Sequence, residues 1–153
     1  FYDCLCPDCG ADHRARRDRT ADLRGRVALV TGGRVKSGFR VALKLLRAGA
    51  EVVATTRFPA DAARRFAAEP DAPGWLPRLR LVGLDLRAVP AVERFAAGLR
   101  GHLPHLDVFV ANAAQTVRRP PAYYRRLAEA ERDRPALPPA ARRVVWEPPG
   151  LVP

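Results

Sequence analysis

The sequence lacks several features, and each absence narrows the class of protein. It contains three cysteines in 153 residues, and all three lie among the first ten. Cysteines gathered at one end cannot staple a small secreted domain, so a disulfide-stabilised extracellular scaffold is disfavoured. No uncharged apolar run approaches the roughly 20 residues of a membrane-spanning helix, and no secretory leader is visible. We therefore expect a cytoplasmic protein with no membrane partner.

Methionine is missing altogether, and the chain begins at Phe1. We therefore expect that the sequence starts inside a longer reading frame. Its composition, with 48% hydrophobic and 28% charged residues, is typical of a globular protein with one main core.

Acidic residues are scarce, at 16 against 27 basic residues, and the net charge is +11. The positive charge is spread along the chain and no recognisable docking motif accompanies it, so we do not expect nucleic acid as a partner. Only Lys36 and Lys44 are lysines. Two interpretations stay open: a composition biased towards arginine, or a locally positive pocket for a phosphorylated ligand.

The three cysteines lie in the segment CLCPDCG. Cys6 and Cys9 form a Cys-x-x-Cys knuckle, a turn that directs two thiolates at one metal ion. A closed zinc site needs four ligands, and Cys4 and His13 are candidates for the other two, as is a second such pair preceding Phe1. A zinc site is therefore possible at the knuckle, with free thiols or a redox pair as the alternative.

Apolar residues from position 27 onward alternate between strand-like and helix-like patterns. Short apolar runs predict strands at about 27–30, 52–55, 79–84 and 106–111. Helical spacing predicts a helix that ends at Gly49, and further helices at about 59–69, 90–99, 121–132 and 140–145. This alternation implies a parallel sheet with right-handed crossovers and the strand order 3-2-1-4. The predicted fold class is α/β, the first half of a doubly wound parallel sheet, truncated after its fourth strand.

The turn after the first strand reads TGGRVKSG. It resembles the TGxxxGxG loop of the short-chain dehydrogenase/reductase family, with Lys36 standing where the middle glycine is expected. That glycine lets the backbone approach a pyrophosphate, whereas a lysine would offer its ammonium group to the phosphates. The resemblance implies a Rossmann-like domain that binds a nicotinamide dinucleotide. The binding residues that it implies in this turn are Thr31, Gly32, Arg34, Lys36, Ser37 and Gly38.

The second strand ends in Thr56 and Arg57. An acidic residue here would bond to a ribose 2′-hydroxyl and mark a preference for NAD(H). A hydroxyl and a cation suit a 2′-phosphate instead, so the resemblance implies NADP(H) rather than NAD(H). The alternative is that Arg57 is a solvated residue at the end of a strand.

Two further stretches resemble the cofactor-binding half of the family. Asp85 and Leu86, after the third strand, are similar to its adenine site. Asn112 and Ala113, after the fourth strand, match the centre of its Asn-Asn-Ala-Gly motif, whereas Ala111 and Ala114 depart from it. The resemblance implies that Asn112 bonds to backbone groups of the central sheet.

The catalytic residues of the family are not found in this sequence. Its mechanism uses a tyrosine, a lysine four residues later and a serine. None of Tyr2, Tyr123 and Tyr124 has such a lysine, and Ser37 is the single serine. We therefore assign no catalytic residue and expect no activity from these residues alone. We interpret Tyr123 and Tyr124 as packing residues.

The leading hypothesis is the cofactor-binding part of an NAD(P)-dependent short-chain oxidoreductase that transfers hydride between NADP(H) and a carbonyl or alcohol substrate. At full length we expect a homo-oligomer, and in isolation an apolar sheet edge that promotes association. The alternatives are a non-catalytic dinucleotide-binding or scaffolding protein, and a zinc-knuckle interaction or nucleic-acid module. The predicted parts are an appendage with the knuckle (1–25), the dinucleotide-binding domain (26–132) and a proline-rich tail (133–153).

Overall fold

The computed structural model describes residues 3–113 and 119–147. Tyr2, Ala114 and the tail beyond residue 147 therefore lie outside the described residues. Six α-helices and four β-strands occur within these ranges. In chain order they are α1 (Pro7–Arg17), β1 (Val27–Thr31), α2 (Lys36–Arg47), β2 (Glu51–Thr56), α3 (Pro59–Ala67), β3 (Leu79–Gly83), α4 (Val89–His102), β4 (Val108–Val110), α5 (Pro121–Arg132) and α6 (Pro139–Val144). None of the described helices is long and apolar enough to cross a membrane.

The four strands form one parallel sheet in the order β3-β2-β1-β4. Val27 pairs with Glu51 of β2, and Ala28 pairs with Val108 of β4. Parallel strands at the centre of such a sheet are covered on both faces, which is why β1 and β2 are almost continuously apolar. This topology confirms the predicted Rossmann-like α/β fold and its strand order. It also brings the carboxyl ends of all four strands to one edge of the sheet.

Alternate residues of the strands supply two separate hydrophobic layers. Ala28 and Val30 face α2, α3 and α6, whereas Leu29 faces the layer that includes Phe95 of α4. Phe66 of α3 is fully buried in the first layer. Burying one such side chain contributes roughly 1.5–3 kcal/mol, so the two layers together fix the helices against the sheet.

Strand β4 is shorter than the predicted 106–111. The backbone N–H of Asp107 still donates to the Val27 carbonyl at 2.9 Å. At the next hydrogen bond between the two strands, the acceptor is the Asp107 carboxylate instead of a backbone carbonyl. That carboxylate accepts the backbone N–H of Val27 at 2.8 Å and a side-chain N–H of Arg26 at 2.8 Å. Among the described residues no strand pairs with the outer edge of β4, where Phe109 is 60% exposed.

Helix α6 covers the far side of the domain, beside β3. Leu137, Ala141 and Val144 are buried in the same layer as Phe66. The backbone N–H of Trp146 donates to the Leu81 carbonyl at 2.8 Å, which extends the pairing beyond β3. The described part of the proline-rich segment thus packs onto the core, while the division of the chain into three parts stays a prediction.

Candidate dinucleotide site

The turn after β1 follows a path that requires glycine at its first position. Gly32 has φ of 72°, in the left-handed region. The backbone N–H groups of Gly32 and Gly33 both donate to the Thr55 carbonyl, at 2.9 and 3.0 Å. A Cβ on Gly33 would lie 2.7 Å from the Cβ of Ala54, so the turn lies directly on β2. These contacts close the turn and direct the chain into α2.

The first turn of α2 packs against the preceding turn through Gly38. A Cβ on Gly38 would lie 2.3 Å from the Gly32 carbonyl oxygen and 2.4 Å from Nδ2 of Asn112. Real side chains do not approach this closely, so the packing of helix on turn depends on glycine. The distance between α2 and the sheet is therefore set by this one position.

Lys36 occupies the position where the family has its middle glycine, and it adopts a glycine-like backbone. Its φ is 54°, and no other non-glycine among the described residues has a positive φ. The left-handed conformation costs an L-residue roughly 1–2 kcal/mol. The strain arises because Lys36 carries a Cβ in a backbone conformation that suits glycine.

The start of α2 has the features of an anion site. Val35, at the N-cap, makes no side-chain capping bond, and the first turn of the helix contains no acidic residue. The first backbone N–H groups of a helix point out of its end, where the helix dipole favours negative charge. Lys36 and Ser37 are exposed at this end. A cation and an uncapped helix end together fit a pyrophosphate group.

Thr31 and Asn112 join the ends of β1 and β4 in one hydrogen-bond network. Nδ2 of Asn112 donates to the carbonyls of Thr31 at 3.1 Å and Gly32 at 3.3 Å. The backbone N–H groups of Asn112 and Ala113 donate to Oγ1 of Thr31 at 3.0 and 3.1 Å, and that hydroxyl faces the Val110 carbonyl at 3.4 Å. The network fixes the turn against the sheet, so Asn112 lies where the family resemblance implied. Cofactor contact by these residues stays a prediction.

Thr56 and Arg57, at the end of β2, have different surroundings. Thr56 is buried, and its hydroxyl accepts the backbone N–H of Phe58 at 3.1 Å. The guanidinium carbon of Arg57 lies 5.5 Å from the ring centre of Phe58 and 4.8 Å from that of Tyr124. Both distances are within the range of a cation–π contact. Arg57 is therefore held beside two aromatic rings rather than extended into solvent, and Thr56 shapes the loop beneath it.

Arg34 approaches the same phenylalanine from the turn after β1. Its guanidinium carbon lies 5.5 Å from the Phe58 ring centre, and it forms an ion pair with Asp61 at 2.8 Å. The two side chains are only 17% and 19% exposed. Burial raises the pKa of Asp61, but hydrogen bonds from Arg65 and Arg34 outweigh it and hold that pKa below its ordinary value. Asp61 is therefore ionised at neutral pH, and its negative charge is compensated by the arginines that pair with it. The Arg34 and Arg57 side chains both lie beside Phe58.

Asp85 follows β3 and lies at the same edge of the sheet. Its carboxylate accepts the backbone N–H of Arg87 at 3.1 Å and also pairs with the Arg87 guanidinium. The side-chain hydrogen bond from Arg87 is the main reason that the pKa of Asp85 lies below its ordinary value. The carboxylate is thus ionised and acts as an acceptor, as an adenine amino group would require. Leu86 beside it is exposed.

Helix α5 crosses the end of β2 and supplies two contacts that the sequence did not reveal. The Tyr124 ring stacks on Phe58 with ring centres 6.0 Å apart and 13° between the planes. The Glu131 carboxylate accepts the backbone N–H groups of Ala60 at 2.9 Å and Asp61 at 3.1 Å. Phe58 at the N-cap of α3 makes no side-chain capping bond, so Glu131 caps this helix from a distance. Phenylalanine cannot cap a helix through its side chain, so Phe58 at the N-cap was the one signal in the sequence for a distant capping residue.

A sequence model described as short chain dehydrogenase matches residues 26–131 of the chain, which is well over half of it. The chain belongs to the short-chain dehydrogenase family. The matched residues contain the turn after β1 and the ends of all four strands. Membership in the family implies a nicotinamide dinucleotide as cofactor, in agreement with the geometry at the start of α2.

Individual relatives agree with the family match. An uncharacterized protein of Acanthamoeba polyphaga mimivirus is 38% identical over 123 residues, which cover 76% of this chain and 26% of that protein. A WW domain-containing oxidoreductase of Drosophila melanogaster is 33% identical over 94 residues, 60% of this chain and 23% of the relative. A probable oxidoreductase of Streptomyces antibioticus is 42% identical over 92 residues, 60% of this chain and 30% of the relative. The chain therefore spans less than a third of the length of these curated relatives.

The cysteine segment lies outside the part of this short-chain dehydrogenase that the family model matches. Cys6 is the N-cap of α1, and its sulfur accepts the backbone N–H of Cys9 at 3.4 Å. This bond is the main reason that the pKa of Cys6 lies below its ordinary value. Within residues 3–113 and 119–147 no three His, Cys, Asp or Glu side chains gather as metal ligands. The predicted zinc set of Cys4, Cys6, Cys9 and His13 is therefore not gathered among the described residues, where Cys4 precedes α1 and His13 lies within it.

Proposed function

We propose that this short-chain dehydrogenase chain is the NADP(H)-binding part of an oxidoreductase that acts on a carbonyl or alcohol substrate. When bound, the nicotinamide would supply or accept the hydride, so the share of the protein is to bind and orient. The oxidoreductase role is supported by the family match and by the names of two relatives. The preference for NADP(H) rests on one observation, which is the guanidinium of Arg57 held at the end of β2 where an NAD-specific site has a carboxylate.

The two arginines beside Phe58 would have different roles towards a 2′-phosphate. Arg34 is held by its ion pair with Asp61, a carboxylate that it shares with Arg65. A guanidinium that stacks on a ring keeps its N–H groups at the edge of its plane, where they suit bidentate contact with a phosphate. Because Arg57 directly follows β2, where an NAD-specific site has its carboxylate, we assign the principal contact to Arg57 and a supporting charge to Arg34. Thr56 is buried, so we expect it to shape the loop rather than to bind the phosphate.

The remaining predicted residues would hold the other parts of the dinucleotide. The first backbone N–H groups of α2 and the Lys36 ammonium would bind the pyrophosphate. Asp85 would accept a hydrogen bond from the adenine. Thr31 and Asn112 would keep the turn in place through the network that joins β1 to β4, without touching the reacting atoms.

The test is a comparison of NADPH and NADH binding by the wild-type chain and by Arg57→Asp. A charge-assisted hydrogen bond contributes about 1.5–3 kcal/mol, which corresponds to roughly a 10- to 150-fold change in affinity. We expect the wild type to favour NADPH by a factor in this range, and the variant to lose or reverse that preference. Binding of 2′-phosphorylated and unphosphorylated adenosine nucleotides isolates the phosphate contribution.

Arg94→Asp is the matched control, because it makes the same change of charge on an exposed residue of α4. It lowers the overall positive potential without altering the end of β2. A preference that survives in Arg57→Asp, or is equally lost in Arg94→Asp, would refute the assignment. Equal affinities for both cofactors in the wild type would refute the preference itself.

A second candidate function is a non-catalytic dinucleotide-binding or scaffolding protein. It is favoured by Lys36, which stands where the family's dinucleotide-binding loop has a glycine. Turnover assays of the full-length gene product with a panel of aldehydes, ketones and alcohols distinguish the two candidates. Cofactor binding without turnover would favour the second. Homo-oligomerisation at full length, association of the isolated chain through the exposed edge of β4 and a cytoplasmic location stay predictions.

A further inference from the structure

Two thiols at the amino end of α1 have no part in the proposed dinucleotide site. Helix α1 is linked to the domain at its other end, where Nζ of Lys44 donates to the Arg17 carbonyl at 2.9 Å. Lys44 lies in the last turn of α2, and α2 begins at the candidate pyrophosphate site. The cysteines therefore have their own surroundings, and any chemistry they perform is separate from cofactor binding.

The local geometry places Cys9 directly against the sulfur of Cys6. Cys6 is the N-cap residue, Pro7 begins the helix, and Cys9 lies in its first turn. The Cys6 sulfur accepts the backbone N–H of Cys9 at 3.4 Å. The Cys9 side chain and the backbone N–H of Asp8 also help to lower the pKa of Cys6. The surroundings of Cys6 thus favour a negative sulfur.

We propose that Cys6 and Cys9 form a reversible dithiol–disulfide couple that exchanges with external disulfides. Cys6 is the attacking thiol and Cys9 is the resolving thiol. A Cys-x-x-Cys pair at the amino end of a helix is an arrangement in which the first cysteine gains thiolate character and reacts readily. All three cysteines are free and exposed, so an external disulfide can reach the pair.

Two other uses of the pair fit the structure less well. Fewer than three metal-ligating side chains gather anywhere in the described parts of the chain, so the cysteines do not form a closed zinc site there. A permanent structural disulfide would close a loop of only four residues, which constrains the unfolded chain little. A reversible couple needs only what is present, namely two accessible cysteines within one helical turn and a backbone donor to the sulfur of one of them.

The exchange balances with a small disulfide such as oxidised glutathione as the oxidant. The Cys6 thiolate attacks one sulfur of the disulfide, which forms a mixed disulfide and releases one glutathione thiolate. The Cys9 thiolate then attacks the Cys6 sulfur, which forms the Cys6–Cys9 bond and releases the second glutathione thiolate. The two released thiolates take up the two protons that the protein thiols lost. Two protein thiols are oxidised and one external disulfide is reduced, with two electrons transferred.

The experiment equilibrates the full chain in buffers with different ratios of reduced to oxidised glutathione. Free thiols are then alkylated, and the intact mass and the modified residues are determined by mass spectrometry. We expect the wild type to lose two alkylatable thiols together and to gain an internal disulfide. Cys4→Ser, the matched control three residues from Pro7, should behave in the same way. Cys9→Ser should accumulate glutathione on Cys6, because the resolving thiol is gone.

Other outcomes would overturn the proposal. An internal disulfide that persists in Cys9→Ser would show that Cys4 is the partner of Cys6. Equal glutathione attachment at Cys4 and Cys6 in that variant would show that Cys6 is not distinguished by its surroundings. Stoichiometric zinc in the purified wild type, lost in Cys6→Ser, would assign the pair to a metal site instead. Because these residues are exposed, the serine variants are expected to fold, and circular dichroism of each variant verifies this.

Discussion

The backbone of Lys36 gives the most direct test of how this chain departs from its family. Lys36 has φ of 54°, a conformation that glycine adopts freely and that other residues adopt at a cost. It stands where the family loop has a glycine. Replacing it by glycine should therefore relieve strain and stabilise the protein, although most substitutions destabilise.

The expected size of the effect follows from two opposing contributions. The left-handed conformation costs a residue with a Cβ roughly 1–2 kcal/mol, which Lys36→Gly removes. Glycine loses more backbone entropy on folding, which costs about 0.5–1 kcal/mol in a helix interior and less at the first residue. The net result should be a gain of roughly 0.5–1 kcal/mol in the free energy of unfolding, or about 1–4 °C in melting temperature for a chain of this size.

Two further variants separate the backbone from the charge. Ser37→Gly introduces the same residue one position later, where φ is not positive, and should cost about 0.5–1 kcal/mol. Lys36→Ala removes the ammonium but keeps the strain. Urea titrations of all three variants and the wild type measure the differences. If Lys36→Gly destabilised as much as Ser37→Gly does, the strain assigned to Lys36 would not exist.

Three further predictions test other contacts. Gly38→Ala should cost roughly 1–3 kcal/mol in urea titration, because the new Cβ would lie 2.3 Å from a carbonyl oxygen, whereas Gly101→Ala meets open space in α4 and should be neutral or stabilising. Tyr124→Leu should weaken NADPH binding in a fluorescence titration, because the ring supports Arg57; Tyr124→Phe should not, and equal losses would contradict this. The pKa of Asp61 lies below its ordinary value of 3.8, so its stabilising effect is complete above about pH 4 and is lost as pH falls through the lowered pKa. In Asp61→Asn, the free energy of unfolding from urea titration should therefore fall less steeply as the pH is lowered through that range. The same pH dependence in the variant and the wild type would exclude the ion pair as its cause.

Local patterns in the sequence predict the central part of the fold well. An apolar run, a glycine-containing turn, an amphipathic helix and a second apolar run define the unit from β1 to β2, and each depends on neighbours within a few residues. The parallel order β3-β2-β1-β4 follows because right-handed crossovers leave few other arrangements. The α5 prediction, 121–132, matches its observed bounds because proline begins the helix and regular spacing continues it.

Contacts between distant residues were harder to predict. The sequence predicts a packing role for Tyr124, and in the structure its ring also lies 4.8 Å from the Arg57 guanidinium carbon. Glu131 was not singled out, although it caps α3 from about 70 positions away. Helix α1 was missed as well, although Pro7 at its start and the Asp12–Arg16 ion pair favour it, because its mixed charges lack an apolar face.

The sequence by itself determined the α/β fold, the family and the glycine-containing turn that we propose to bind a dinucleotide. These depend on short patterns, which local sterics and hydrophobic spacing convert into strands, turns and helices. Only the tertiary structure decided which charges are neutralised and which aromatic rings hold them. Asp61 is paired with Arg34 because α3 lies beside the turn after β1, and Arg57 lies against Tyr124 because α5 packs on α3 beside the end of β2. Such pairings depend on elements that are far apart in the chain and are brought together by burial of the shared core.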